Sequence, residues 1–89
     1  PVMARFREII EELERSSYKA AVMISRKPSI FIAGADIEEI KGMKKAEDFR
    51  AAVSAAHEIF ARFEDLKMPT IAAIHGQCLG GGCELALAC

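Results

Sequence analysis

Gly76-Gln77-Cys78-Leu79-Gly80-Gly81-Gly82-Cys83-Glu84 lies between two apolar runs, Thr70-Ile71-Ala72-Ala73-Ile74 before it and Leu85-Ala86-Leu87-Ala88-Cys89 after it. An apolar strand, a glycine-rich turn and an apolar helical start make a strand–turn–helix arrangement. Such a turn presents backbone N–H groups at a helix N-terminus, where negative charge is stabilised. Three successive glycines carry no Cβ, so a ligand atom can come close to the backbone. A single carboxylate, Glu84, stands just inside the helix. Donors for developing negative charge beside one acid outline an active site.

The sequence upstream supplies a second loop of the same kind. Ile30-Phe31-Ile32 reads as a short strand ending at Ala33-Gly34-Ala35-Asp36, with Asp36 placed to cap a helical turn over Ile37 to Gly42. If its strand neighbours the one before the glycines, both loops emerge at the carboxyl edge of a sheet, where α/β folds bind ligands. One N–H from each loop can then meet on a single oxygen, and a preset donor of this kind is worth about 3–4 kcal/mol in catalysis. Other readings of the glycines fail on detail. A dinucleotide fingerprint needs G-x-G-x-x-G, and a Walker loop needs lysine and Ser/Thr after the last glycine, where Cys83-Glu84 stands. Two plainer readings stay open on pattern alone: the glycines as turn-makers, and Glu84 as a residue suited to the helix dipole. In the catalytic reading Glu84, flanked by apolar residues, points into a cleft or is partly buried, which suits it to proton transfer.

The remaining pattern is alternating helix and strand. Val2, Phe6, Ile9, Ile10 and Leu13 form a helical stripe among charged residues that Ser16-Ser17 closes, with Glu11 and Arg15 as an i,i+4 pair. Tyr18 to Ser25 reads as a mostly buried strand, and Lys27-Pro28-Ser29 as a turn. Phe49, Val53, Ala56, Phe60, Phe63 and Leu66 give one apolar stripe on a helix of about five to six turns, read as core. Glu58 and Arg62 pair on its outer side, and His57 is a surface histidine. The order predicts an α/β layer arrangement. Tyr18 to Leu66 is a ββα unit with no second copy at the level of residues.

Composition narrows the function classes. The chain has 89 residues, 52% apolar and 28% charged, with a net charge of −1, so there is no basic footprint for nucleic acid and no polybasic stretch for a membrane surface. Its apolar runs are well short of a membrane span. Cys78, Cys83 and Cys89 match no zinc spacing and read as packed thiols of a reduced compartment rather than as a Cys–His nucleophile pair with His75. The helical pattern just after Pro1 and the few helical residues before Cys89 lead us to expect a piece of a larger domain.

Ile32-Ala33-Gly34-Ala35-Asp36-Ile37, with Pro69-Thr70-Ile71-Ala72-Ala73-Ile74-His75-Gly76 running on to Gly80-Gly81-Gly82-Cys83-Glu84-Leu85-Ala86, resembles the enoyl-CoA hydratase/isomerase (crotonase) superfamily. The match is nearest to its hydratases, including the hydratase portion of multifunctional fatty-acid oxidation alpha subunits, and runs over essentially the whole chain. The resemblance implies the ClpP/crotonase spiral of ββα units, of which residues 1–89 are an N-terminal part lacking the first strand and the C-terminal half. It implies an acyl-CoA thioester substrate and an enolate held by the N–H groups of Ala35 and Gly81. It places Ala33, Gly34, Ala35 and Asp36 along the coenzyme A portion of that substrate. Glu84 matches one of two hydratase glutamates that activate water for addition to 2-trans-enoyl-CoA, giving (3S)-3-hydroxyacyl-CoA; the second falls beyond residue 89. No metal and no separate cofactor is implied, with NAD needed only if a dehydrogenase domain follows. A trimer-based homo-oligomer or a thiolase partner is implied, in the cytoplasm or, in a eukaryote, the mitochondrial matrix. A 3,2-enoyl-CoA isomerase remains an alternative within the superfamily, and an inactive structural or oligomerisation piece remains one outside it.

Overall fold

The computed structural model describes residues 2–34 and 40–89. The elements run α1 (Val2–Arg15), β1 (Ala21–Met23), β2 (Ile30–Ile32), α2 (Ala46–Glu64), β3 (Thr70–Ala72), β4 (Gln77–Cys78) and α3 (Gly81–Leu87). After α1 the order is therefore ββα followed by ββα. The second unit, invisible as a residue repeat, is present as a structural one. β1 pairs in parallel with β3, Val22 opposite Ile71, and β2 pairs in parallel with β4. Each strand of the first unit thus lies beside its counterpart in the second, and the chain advances as a spiral with α2 as the connection. The sequence expectation ran β1 from Tyr18 and took the glycine stretch as one turn. In the structure β1 is shorter and β4 interrupts that stretch.

Local chemistry explains the boundaries. α1 stops where the Ser16 N–H and hydroxyl both donate to the Leu13 carbonyl, at 3.1 and 2.8 Å. Such a side-chain bond satisfies an acceptor that the helix end leaves open. α2 begins with Glu47 and Asp48 in its first turn and carries Arg62 in its last, the charge order its dipole favours. Between β1 and β2, Ser25 Oγ donates to the Ile30 carbonyl at 3.0 Å and accepts from the Lys27 N–H at 3.2 Å, fixing the Lys27-Pro28-Ser29 bend.

The core joins α1, α2 and α3. Ile10 of α1, Ile59 and Phe63 of α2 and Leu85 of α3 are buried together, with Phe6, Met23, Ile32, Phe60 and Leu66 packed against them. The Phe6 and Phe63 rings are tilted, with centroids 5.3 Å apart, a geometry that aromatic quadrupoles favour. The expected α2 stripe is therefore right only at its C-terminal half. Ile59, outside the predicted set, is buried, whereas Phe49 is 47% exposed because that end of α2 runs past the other described helices. Arg62 also departs from expectation. It bonds Glu14 of α1 at 2.5 Å and approaches Glu11 at 3.9 Å, instead of pairing with Glu58 along its own helix. The Glu14 hydrogen bond raises the Arg62 pKa further. Glu11 turns to this bridge and not to Arg15.

Candidate active site

The parallel β2–β4 pair brings the two small-residue loops to one edge. The Gln77 N–H donates to the Ser29 carbonyl at 3.1 Å, and the Leu79 N–H donates to the Ile32 carbonyl at 3.0 Å, so the strands stay joined up to the point where both loops leave. Ile30 faces Gln77 while Ile32 faces Cys78, leaving Phe31 as an extra residue on β2. This is a β-bulge, a device that bends a strand and re-aims its side chains. Phe31 is only 1% exposed. Neither the bulge nor β4 was expected, because a two-residue strand carries too little alternation to be read from sequence.

The glycines have separate duties. Gly34 and Gly80 adopt φ of +116° and +54°, which side-chain-bearing residues rarely take. They also face one another: a Cβ on Gly80 would stand 3.8 Å from the Gly34 Cα, and one on Gly34 would stand 4.0 Å from the Gly81 nitrogen. Gly82 is set by packing. A Cβ there would lie 2.6 Å from the Cβ, Cγ2 and carbonyl oxygen of Ile32, so α3 rests directly on β2. At Gly81 a Cβ would meet nothing within 4 Å among the described residues, and its φ is not positive. Its N–H has no acceptor among them either. The tight turn uses other donors, Gly82 N–H to the Leu79 carbonyl at 2.9 Å and Glu84 N–H to the Gly80 carbonyl at 3.1 Å. Gly81 thus has free space on its Cβ side and an N–H without an acceptor among the described residues.

Leu85, buried in the core, anchors α3 and fixes the rotation of the residue before it. Glu84 consequently faces solvent on the first turn of α3. The inward face of the short helix is taken by Gly82 and Leu85. Among the sequence-predicted site residues, Ala33, Gly34, Gly81 and Glu84 are gathered at the β2–β4 edge. Ala35 and Asp36, with the turn they begin, lie outside the described residues. His75 is committed elsewhere, its Nε2–H donating to the Lys27 carbonyl at 2.5 Å, so it does not pair with a cysteine. A groove on α2 lined by Phe49, Arg50, Val53, Ser54, His57 and Glu58 includes no residue of the glycine turn and is open to solvent.

Residues 2–89 match the family model described as enoyl-CoA hydratase/isomerase. The chain is 50% identical over 82 residues to the fatty acid oxidation complex subunit alpha of Shewanella amazonensis, covering 91% of this chain and 12% of that protein. It is 46% identical over 84 residues to the subunit of the same name from Aliivibrio fischeri, covering 92% and 12%. The enoyl-CoA hydratase of Bacillus anthracis superposes with a TM-score of 0.91 at 35% identity, over 98% of this chain and 34% of that one. An enoyl-CoA hydratase/carnithine racemase from Magnetospirillum magneticum gives 0.91 at 31% identity, over 100% and 34%. The chain thus spans about an eighth of the curated relatives it matches and about a third of the solved ones.

Proposed function

The chain belongs to the enoyl-CoA hydratase/isomerase family, with the α/β crotonase fold, and we propose that it forms the oxyanion-binding part of an enoyl-CoA hydratase of fatty-acid β-oxidation. The observation that carries this reading is the β2–β4 pairing. It sets Gly34 against Gly80, leaves the Gly81 N–H without an acceptor among the described residues, and holds Glu84 one turn of helix further on.

In the proposed reaction the thioester carbonyl oxygen of a 2-trans-enoyl-CoA accepts hydrogen bonds from the Gly81 and Ala35 N–H groups. Water adds through its oxygen to the β-carbon, and the π electrons move onto the carbonyl oxygen as an enolate. Fixed donors stabilise that charge without reorganising as it forms. Glu84 orients the water and moves its proton, and protonation of the α-carbon completes a (3S)-3-hydroxyacyl-CoA. A second glutamate, required by the resemblance, shares this work from outside the 89 residues. Ala33 to Asp36 border the coenzyme A portion of the substrate, and the parent protein works as an oligomer or with a thiolase partner.

The test is Glu84→Gln in the intact parent enzyme. Since Glu84 is exposed and makes no side-chain hydrogen bond among the described residues, the variant should fold normally. Its kcat for hydrating crotonyl-CoA should fall by roughly 10²–10⁴. An unchanged rate would remove Glu84 from the chemistry. Double-bond migration without hydration in the unmodified parent would instead assign the isomerase reaction.

A further inference from the structure

His75-Gly76 and Lys27-Pro28-Ser29 stand at the amino ends of β4 and β2, opposite the edge where the two loops leave. The two segments meet backbone on backbone. A Cβ on Gly76 would lie 2.3 Å from the Ser29 carbonyl oxygen, 2.5 Å from its carbon and 3.0 Å from the Ile30 nitrogen. The φ of Gly76 is not positive, so glycine is needed there for the close approach alone. His75 Nε2–H reaches across to the Lys27 carbonyl, and Ser25 Oγ braces the same bend through Lys27 and Ile30. Neither His75 nor Gly76 takes part in the hydration chemistry above. We propose that His75 and Gly76 are positioning residues, a clasp that sets the register of β4 and through it the place of the glycine turn with its Gly81 donor. This rests on the oxyanion role given above to the Gly81 N–H.

β4 is too short to absorb a displacement. Immediately after Gly76, the Gln77 N–H bonds the Ser29 carbonyl that Gly76 abuts, at 3.1 Å, and two residues later the Leu79 N–H bonds the Ile32 carbonyl at 3.0 Å. Only Cys78 lies between these two bonds. Leu79 in turn accepts the Gly82 N–H at 2.9 Å, which closes the turn around Gly80 and Gly81. The break in register at Phe31 leaves no regular ladder to fix β4 from β2 alone, so the clasp supplies the reference. A shift imposed at Gly76 therefore passes to Leu79 and into the turn. Its size follows from the contact. Carrying 2.3 Å out to the roughly 3.3 Å at which carbon and carbonyl oxygen meet without overlap moves β4 by about 1 Å. Misplacing a catalytic group by about 1 Å costs about 10²-fold in rate.

Hydrogen exchange resolved to single amides in the intact parent enzyme tests this. In Gly76→Ala the Gln77 and Leu79 amides should both lose protection, while Ala73, bonded to the Met23 carbonyl at 2.9 Å beside the first strand pair, keeps its own. His75→Ala removes the side-chain tether without a clash, so it remains informative should Gly76→Ala not fold. It should loosen the same two amides, and His75→Gln, which retains a donor, should restore them. With crotonyl-CoA, Gly76→Ala should lower kcat by about 10²-fold with KM little changed, because the donor acts on charge that develops in the transition state. Loss of protection confined to Gln77, or a Leu79 amide as protected in His75→Ala as in the unmodified enzyme, would overturn the proposal. Lost protection at Leu79 with kcat unchanged would uphold the clasp and remove the Gly81 N–H from the chemistry, so the two failures are told apart.

Discussion

The two parallel strand pairs occupy equivalent places in successive ββα units, yet they are built for different ends. In the β1–β3 pair the paired residues Val22 and Ile71 face outward, 59% and 50% exposed, while Ala21, Met23, Thr70 and Ala72 form the inner face. The alternation is regular and the register has no irregularity. In the β2–β4 pair the register breaks at Phe31, the side chain there is buried, and each strand is followed two residues on by a glycine of positive φ. The regular pair supplies shape. The irregular one carries the candidate site, and its deviations bring backbone to the edge where the loops meet.

The largest test of this contrast compares the central residues of the first two strands. Phe31→Ala should cost about 3–5 kcal/mol by urea unfolding, as expected for an emptied aromatic site. Val22→Ala should cost less than about 1 kcal/mol, the span of strand preference at an exposed position. Equal losses would show that the outward face of β1 is not free.

A finer comparison sets neighbouring glycines against each other. Gly82→Ala should destabilise by about 1–3 kcal/mol, since the new methyl group drives α3 off Ile32. Gly81→Ala should stay within about 0.5 kcal/mol, the range of surface changes that touch nothing. The same Gly81 variant in the parent enzyme should lower kcat/KM for the thioester, because a methyl group then stands next to the proposed donor. Comparable instability at both positions would mean that Gly81 is there for packing.

The smallest expected effect concerns the link between α1 and α2. Arg62→Gln should lower the melting temperature slightly and reduce its dependence on salt, whereas Glu58→Gln should change neither. A double-mutant cycle should find coupling between Arg62 and Glu14 and none between Arg62 and Glu58.

The helices and three of the four strands were legible because their periodicities extend over enough residues, or are bounded by clear turn signals such as Lys27-Pro28-Ser29. The loops and Glu84 stood out as a candidate site because a glycine run and a lone acid interrupt an apolar stretch. What escaped was nonlocal. The partner of Arg62 lies on another helix, and no pattern along α2 distinguishes Glu14 from Glu58. Ile59 is buried and Phe49 exposed because α1 and α3 meet α2 only near its C-terminal end. The division of the strands into two pairs, and the bulge that goes with it, arises from pairing between the two ββα units. Glu84 is exposed among the described residues, on the side of α3 away from the buried Leu85.

The His75–Lys27 contact and the Arg62–Glu14 bridge each join residues 48 positions apart, and both strand pairings span similar intervals. Closing a loop of that length is entropically unfavourable, but the penalty grows only with the logarithm of its size. Once one such closure forms, it shortens the remaining search for all the others. Neither loop of the candidate site can acquire its neighbour before this happens, because β2 and β4 belong to different units. The spiral therefore makes assembly of the candidate site depend on a long-range closure between the two units.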